Sequence, residues 1–368
     1  MLFIKRVAKL SNQNHNFLFI FQRCFLFSMS RLLFFAFLLF FSCTSKSKRD
    51  VNRGFYFWKS NFQLNEKDQE RLQSLKVNKI YVKFFDVDWN DAAAKPVPVA
   101  VVQPEGILDT TFQIVPTIFI TNNTFEKGEG YELYNLSHNV FNKIIGMQNC
   151  FPRKIKIKEI QIDCDWNEAT GEKYFNFLKN IKSLSGSDIK ISATIRLHQI
   201  KYFAKTGVPP VDRGMLMFYN MGNVNFNFPA NSIYNKEDAL KYVESIKNYP
   251  LPLDIALPIF SWAAIYREDK LVQLIRDFDK NLYGNKALVE IEKNVFRASQ
   301  IIDLKSAVIK KGDIIKFEIM DPSSSLEAAH LIEKHAKDSL SVVLFDYNNL
   351  NFNRYNNASL ENIFNTFD

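Results

Sequence analysis

Past residue 53 the chain alternates between two hydrophobic patterns. One is a short apolar run bounded by polar or turn-forming residues, which predicts buried strands. The runs are "GFYFWK" (54–59), "KIYVKFFDVDW" (79–89), "IVPTIFITN" (114–122) and "EIQIDCDW" (159–166). They continue with "KISATIRL" (190–197), "RGMLMFYNMG" (213–222), "LDIALPIFSW" (253–262) and "SVVLFDYNN" (341–349). The other pattern recurs every three to four residues and predicts amphipathic helices over 65–75, 135–147, 171–184, 236–247 and 323–337. Near-continuous apolar strands separated by helices imply a parallel sheet covered on both faces. Eight such units fit one (β/α)8 TIM barrel of the α/β class, spanning 54–368. Residues 265–320 break the alternation. There "DKLVQLIRDFDKNLYG" (269–284) predicts a helix, and "ALVEIEKNVFRA" (287–298) with "GDIIKFEIMDP" (312–322) an extra hairpin. This segment is an expected insertion over the barrel mouth between strands 7 and 8; a two-domain split near 265 is the alternative.

Composition changes the picture mainly at the front. Of 368 residues, 47% are hydrophobic and 23% charged, which excludes a disordered chain. Many of the 35 phenylalanines crowd into "FLFIFQRCFLFSMSRLLFFAFLLFF" (17–41). Met29 opens "MSRLLFFAFLLFFSC": a basic residue, an apolar run, then Ser-Cys, the layout of a secretory signal. Residues 1–42 are therefore expected to be a signal peptide with its true start at Met29, and 43–53 a tether lipidated at Cys43. An uncleaved membrane anchor is the alternative. Either way the globular part is expected outside the cytoplasm, on the outer membrane of a Gram-negative cell if Cys43 is lipidated. Residues 1–42 hold five basic side chains (Lys5, Arg6, Lys9, Arg23, Arg31) and no acid, so without them the formal net charge falls from +8 to +3. The remaining cations interleave with acids, which argues against a nucleic-acid partner. Cys150 and Cys164 are the remaining cysteines and are expected as free thiols rather than a framework.

In a (β/α)8 barrel the chemistry gathers at the C-terminal strand ends. Trp58, Trp89, Trp166 and Trp262 fall at the ends of the first, second, fourth and seventh strands. Flat rings there offer stacking surfaces to sugars; plugging the barrel top is the alternative. Strand alternation puts Gln161, Asp163 and Asp165 on one face and Ile160, Ile162 and Cys164 on the other. The acidic face should point into the barrel, where two neighbouring carboxylates push one pKa upward. Asp86 and Asp88 repeat the pattern; Arg196 with His198, Tyr219 with Asn220, and Asp346 with Tyr347 end the fifth, sixth and eighth strands. Each aspartate pair could instead cap a helix or pair with Arg196. No His/Cys cluster has ligand spacing, so neither metal nor cofactor is expected.

These residues bear a family likeness. "IQIDCDW" (160–166) resembles the signature strand of the family-18 glycoside hydrolases, the chitinase-like barrels, and "MLMFYN" (215–220) and "DIALPIFSW" (254–262) resemble their sixth and seventh strands. The pattern is also similar to bacterial lipoproteins of the glycosidase-barrel group. The resemblance implies a carbohydrate partner, substrate-assisted cleavage, and an acetamido group held by Asp165 and Tyr219. It implies an acid at position 167, which here is Asn167; Glu168, Asp163 or Asp88 would have to replace it, or the site binds sugar without cutting it. The expected catalytic set is thus Asp163, Asp165, Tyr219 and Glu168. The expected sugar-binding set is Trp58, Asp86, Asp88, Trp89, Trp166, Arg196, His198, Asn220, Trp262 and Asp346. A purely structural cell-envelope lipoprotein is the remaining alternative.

Overall fold

The computed structural model describes residues 49–368 apart from 107, 227–229, 277, 279, 305, 306 and 338; the leader and Cys43 lie outside the described residues. β1 (Asp50–Phe57) has a parallel neighbour on each side, β2 (Val77–Asn90) and β8 (Ser339–Phe345). Between them run β3 (Gln113–Ile120), β4 (Glu159–Asp163), β5 (Lys190–Arg196), β6 (Arg213–Met217) and β7 (Leu253–Pro258), each pairing with the next. The ring is closed: all eight expected barrel strands are present, in the expected order. β1 also takes in residues 50–53, which the sequence assigned to the tether. Arg53 explains this, because its buried guanidinium bonds Leu75 O (3.2 Å) and Asn365 Oδ1 (2.7 Å) and pairs with Asp368 (2.7 Å).

Helices cover the ring. They are α1 (Glu66–Ser74), α2 (Gly130–Met147), α3 (Gly171–Ser185), α4 (Lys236–Ile246), α5 (Pro322–Glu333) and α6 (Asn357–Asn365). Their apolar stripes face inward: α3 buries Tyr174, Phe177, Leu178 and Ile181, spaced three and four apart. Local chemistry starts several of them. Asn65 and Asp68 form a capping box on α1, and Asp321 accepts from Ser324 N ahead of Pro322 on α5. β2 reaches β3 by a different route, folding back as the antiparallel strand Lys95–Val99 opposite Asp86–Asn90. No described helix is long and apolar enough to cross a membrane.

The insertion is a second sheet that contains the expected antiparallel pairing of 287–298 and 312–322 but not the expected helix. Trp262–Arg267, Lys270–Arg276, Leu288–Glu292, Val295–Ala298 and Ile314–Glu318 form five antiparallel strands over their own core, which includes Ile265, Phe278, Phe296 and Phe317. The helix expected over 269–284 is overturned, with only Lys280–Tyr283 helical. Leu271, Leu274 and Ile275 do recur at helical spacing. However, Glu268 and Asp269 adopt left-handed φ values of 49° and 60°, as a two-residue hairpin turn requires, and pair the segment with Trp262–Arg267. Arg49–Asp368, insertion included, is one compact unit, so no domain boundary falls near 265.

The barrel interior is partly polar and internally paired. Lys79 Nζ meets Glu159 Oε2 at 3.0 Å, Ser192 Oγ donates to Glu159 at 2.8 Å, and Tyr56 OH donates to Gln161 Oε1 at 2.5 Å. Such pairing offsets the cost of burying charge. On the outer side, a Cβ on Gly214 of β6 would sit 2.8 Å from both Ile195 Cγ1 and Leu253 Cδ2. Gly214→Ala is therefore expected to destabilise the protein by about 1–3 kcal/mol. Urea denaturation checks this, with an unchanged midpoint contradicting the tight packing.

Candidate functional site

At the C-terminal rim a cleft of about 190 Å³ opens among Trp58, Asp163, Asp165, Arg196, Tyr219 and Asn220, with Phe119, Met217, Arg276 and Phe345 completing its wall. It is smaller than the roughly 300–1,000 Å³ of pockets for drug-sized ligands, which suits a single small ring. β4 supplies its acids. Asp163, the last residue of the strand, is buried and accepts from Thr194 Oγ1 of β5 at 2.5 Å. Asp165, two positions on, has a side chain 52% exposed and accepts a hydrogen bond from Arg196 Nε. The same guanidinium lies 3.9 Å from Asp163, so one cation serves both carboxylates.

The electrostatics follow from that clamp. Burial pushes the Asp163 pKa upward, Arg196 opposes the shift, and Asp165 adds to it. The expected upward shift is present, but its leading cause is desolvation rather than carboxylate repulsion. Burial pulls Arg196 downward, yet Asp163 and Asp165 outweigh it, and its pKa lies above the ordinary value. Tyr219 is buried edge-on to Phe260 (5.7 Å) and against Phe345 (5.2 Å). Its hydroxyl points at Met217 Sδ (3.0 Å), and burial holds it protonated, far above a phenol's usual range. Asn220 takes a left-handed φ of 55°, a conformation asparagine tolerates better than most residues. Trp58 is half-buried, its ring 5.6 Å from Phe345 and 5.8 Å from Lys83 Nζ.

The remaining expected residues lie outside the cleft lining, with Asp86, His198 and Asp346 within electrostatic reach of Asp163, Asp165 and Tyr219 respectively. Trp166 is fully buried under α3, stacked on Tyr174 at 5.2 Å, its indole N–H donating to Thr206 O (2.9 Å). Trp262 opens the inserted sheet and donates to Glu318 Oε2 at 2.7 Å, behind Phe260. Trp89 sits half-buried in the hairpin extension of β2, opposite Pro96. Of the four indoles, Trp58 lines the cleft and the other three do not. Asp86 pairs with Lys83 at 2.9 Å, and Asp88 accepts from Thr121 Oγ1 (2.6 Å) and Trp89 N (2.9 Å). Asp346 accepts from Asn351 Nδ2 (2.9 Å) and Asn348 Nδ2 (3.3 Å). His198 is exposed on the short helix Leu197–Lys201, and Glu168 is exposed in the loop before α3.

Asn167 has a local task. Its Oδ1 accepts from Ala169 N (2.9 Å) and Thr170 N (3.1 Å), while its own N–H donates to Thr170 Oγ1 (3.1 Å). The side chain is thus spent on the loop that starts α3. An asparagine side chain that accepts from the backbone two and three residues on makes a local turn, a habit of this residue type. Arg276 had no comparable signal, since it reaches the cleft from the strand misread as helix. It lies 5.8 Å from the Phe345 ring and 5.6 Å from that of Phe260.

No protein-family model matches the chain, and no curated protein matches it. Among solved structures it is similar to the spore cortex-lytic enzyme SleL of Bacillus cereus, at 12% identity over 88% of this chain and 76% of that one, with a TM-score of 0.52. SleL of Bacillus megaterium aligns at 13% identity over the same shares, 88% and 76%, with a TM-score of 0.51. A family-18 N-acetylglucosaminidase from Paenibacillus barengoltzii aligns at 11% identity over 87% of this chain and 100% of that one, with a TM-score of 0.49. The likeness to the SleL barrels establishes the fold, the closed (β/α)8 barrel expected from the strand pattern.

Two outcomes follow from the clamp and the turn. An unfolded aspartate ionises near pH ~3.9, whereas folded Asp163 keeps its proton to higher pH. Between those values the unfolded chain has released the proton and the folded one has not, so stability falls as pH rises across the window and levels off above it. Arg196→Gln should move the Asp163 titration further upward and widen the window; carboxyl-carbon NMR checks this, and a downward move contradicts the clamp. Asn167→Ala should cost about 0.5–1.5 kcal/mol in denaturant unfolding, the usual net loss of a side-chain hydrogen bond. An unchanged stability would remove the turn-holding role.

Proposed function

We propose that the rim cleft binds one residue of a glycan without hydrolysing it, on a lipoprotein held at Cys43 outside the cytoplasm. The observation that carries this reading is the Arg196 clamp on Asp163 and Asp165. Substrate-assisted cleavage needs a carboxylic acid that protonates the glycosidic oxygen. The cleft's own carboxyls, Asp163 and Asp165, face a guanidinium, which cannot itself give up a proton in this pH range. Asn167, at the acid position implied by the family likeness, is engaged in the loop and carries no acidic proton. What remains is recognition chemistry: the Trp58 ring as a stacking surface, Asp165 and Asn220 as polar partners, and Tyr219 beneath them.

A second reading, hydrolysis with Asp163 as the acid, is favoured by its raised pKa. One experiment separates the readings. Full-length protein is titrated calorimetrically with N-acetylated oligosaccharides, and the same mixtures are examined by mass spectrometry for shortened chains. Saturable binding with no shortened product is expected, and Trp58→Ala should weaken it roughly tenfold, the effect of an interface anchor. Product that disappears in Asp163→Asn would establish the hydrolytic reading. Absence of any binding would leave the structural alternative.

A further inference from the structure

The opposite rim of the barrel carries different chemistry. Between the starts of β2, β3 and β4 lies a cleft of about 430 Å³ whose lining includes Asn78, Gln113, Arg153, Lys154, Lys156 and Lys158. The segment that enters β4, "FPRKIKIKE" (151–159), buries Phe151, Ile157 and Glu159 and exposes Arg153, Lys154, Lys156 and Lys158. Its apolar residues pin it to the barrel while its cations stand outward. Among the described residues, none of these four cations belongs to an ion pair. The carboxylate in the lining, Asp109, is already engaged by Thr111 N (2.8 Å) and Gln73 Nε2 (3.0 Å). The chain enters the barrel at this same rim, because Arg49 leads into β1, whose Arg53 lies opposite Val77 at the start of β2.

We propose that this basic face rests on the anionic phosphate headgroups of the membrane that holds the leader, an inference that depends on the anchored reading given above. Attraction of lysine and arginine to an anionic leaflet decays within about 10 Å, so it acts only on a face kept close to the surface. A link from Cys43 to Arg49 permits that approach and limits any retreat, since seven residues reach at most about 25 Å. Parallel strands that begin at the basic face end at the glycan cleft. The contact therefore aims that cleft away from the bilayer, toward polymers beyond it.

The test uses full-length protein in vesicles of phosphatidylcholine alone or with phosphatidylglycerol, an amine-reactive reagent, and peptide mass spectrometry. At low salt, labelling of Lys154, Lys156 and Lys158 should slow about fivefold or more in the anionic vesicles. High salt should abolish the difference. Lys205 is exposed near the other rim, beside Thr206, which accepts from Trp166 beyond the end of β4; it should label equally in both vesicles. Equal labelling of the three lysines in both vesicles would overturn the proposal, and so would equivalent protection by inorganic phosphate in neutral vesicles, which would make this a site for a soluble ion. Flotation with neutral vesicles reads the anchor separately. Protein that fails to float there but still shows protection on anionic vesicles would sink the anchor and keep the face.

Discussion

A parallel sheet has two faces to bury, and this chain buries one of them by closing the sheet on itself. β1 is the keystone, because its backbone donors and acceptors are shared between β2 and β8. Closure removes both sheet edges at once and turns one face into a sealed interior. It also imposes polarity. All eight strands start at one rim and end at the other, so chemistry placed at a strand end belongs to one of two separate surfaces. The cleft at the strand ends and the basic face at the strand starts are consequences of that division.

The sealed interior accepts charge only when charge is matched. Lys79 with Glu159 in the lower layer and Arg196 with Asp163 near the top follow the same rule. At the rim this has a chemical cost. A cation that makes a buried aspartate tolerable also occupies the acids that a hydrolase would use. Stability of the acidic strand end and its availability for proton transfer are thus in direct competition. Tyr219, Phe260, Phe345 and Arg276 extend the same surface outward, which ties the inserted sheet to the cleft wall.

Much of the barrel was legible because its signals are local. Alternating apolar runs at strand length mark β1 to β8, and capping residues such as Asn65 and Asp321 mark helix starts. The acidic pair on β4 was legible too, since parity within a strand decides which residues share a face. Residues 269–284 failed because leucines at helical spacing also suit an exposed edge strand, and the turn at Glu268–Asp269 made the choice. The tryptophans failed for another reason. A position at a strand end does not say where an indole points, and a buried indole N–H goes wherever an acceptor waits, as at Thr206 and Glu318.

The sequence by itself determined the class of fold, the order of its strands and the location of the acids, because these depend on periodicity and on chemistry within a few residues. Only the tertiary structure decided that Arg196 would clamp those acids, that Asn167 would serve a loop, and that Trp58 alone of the indoles would reach the cleft. Each of those outcomes depends on groups brought together from separate strands, or on the direction of one side chain. No pattern along the chain encodes a distance across the barrel.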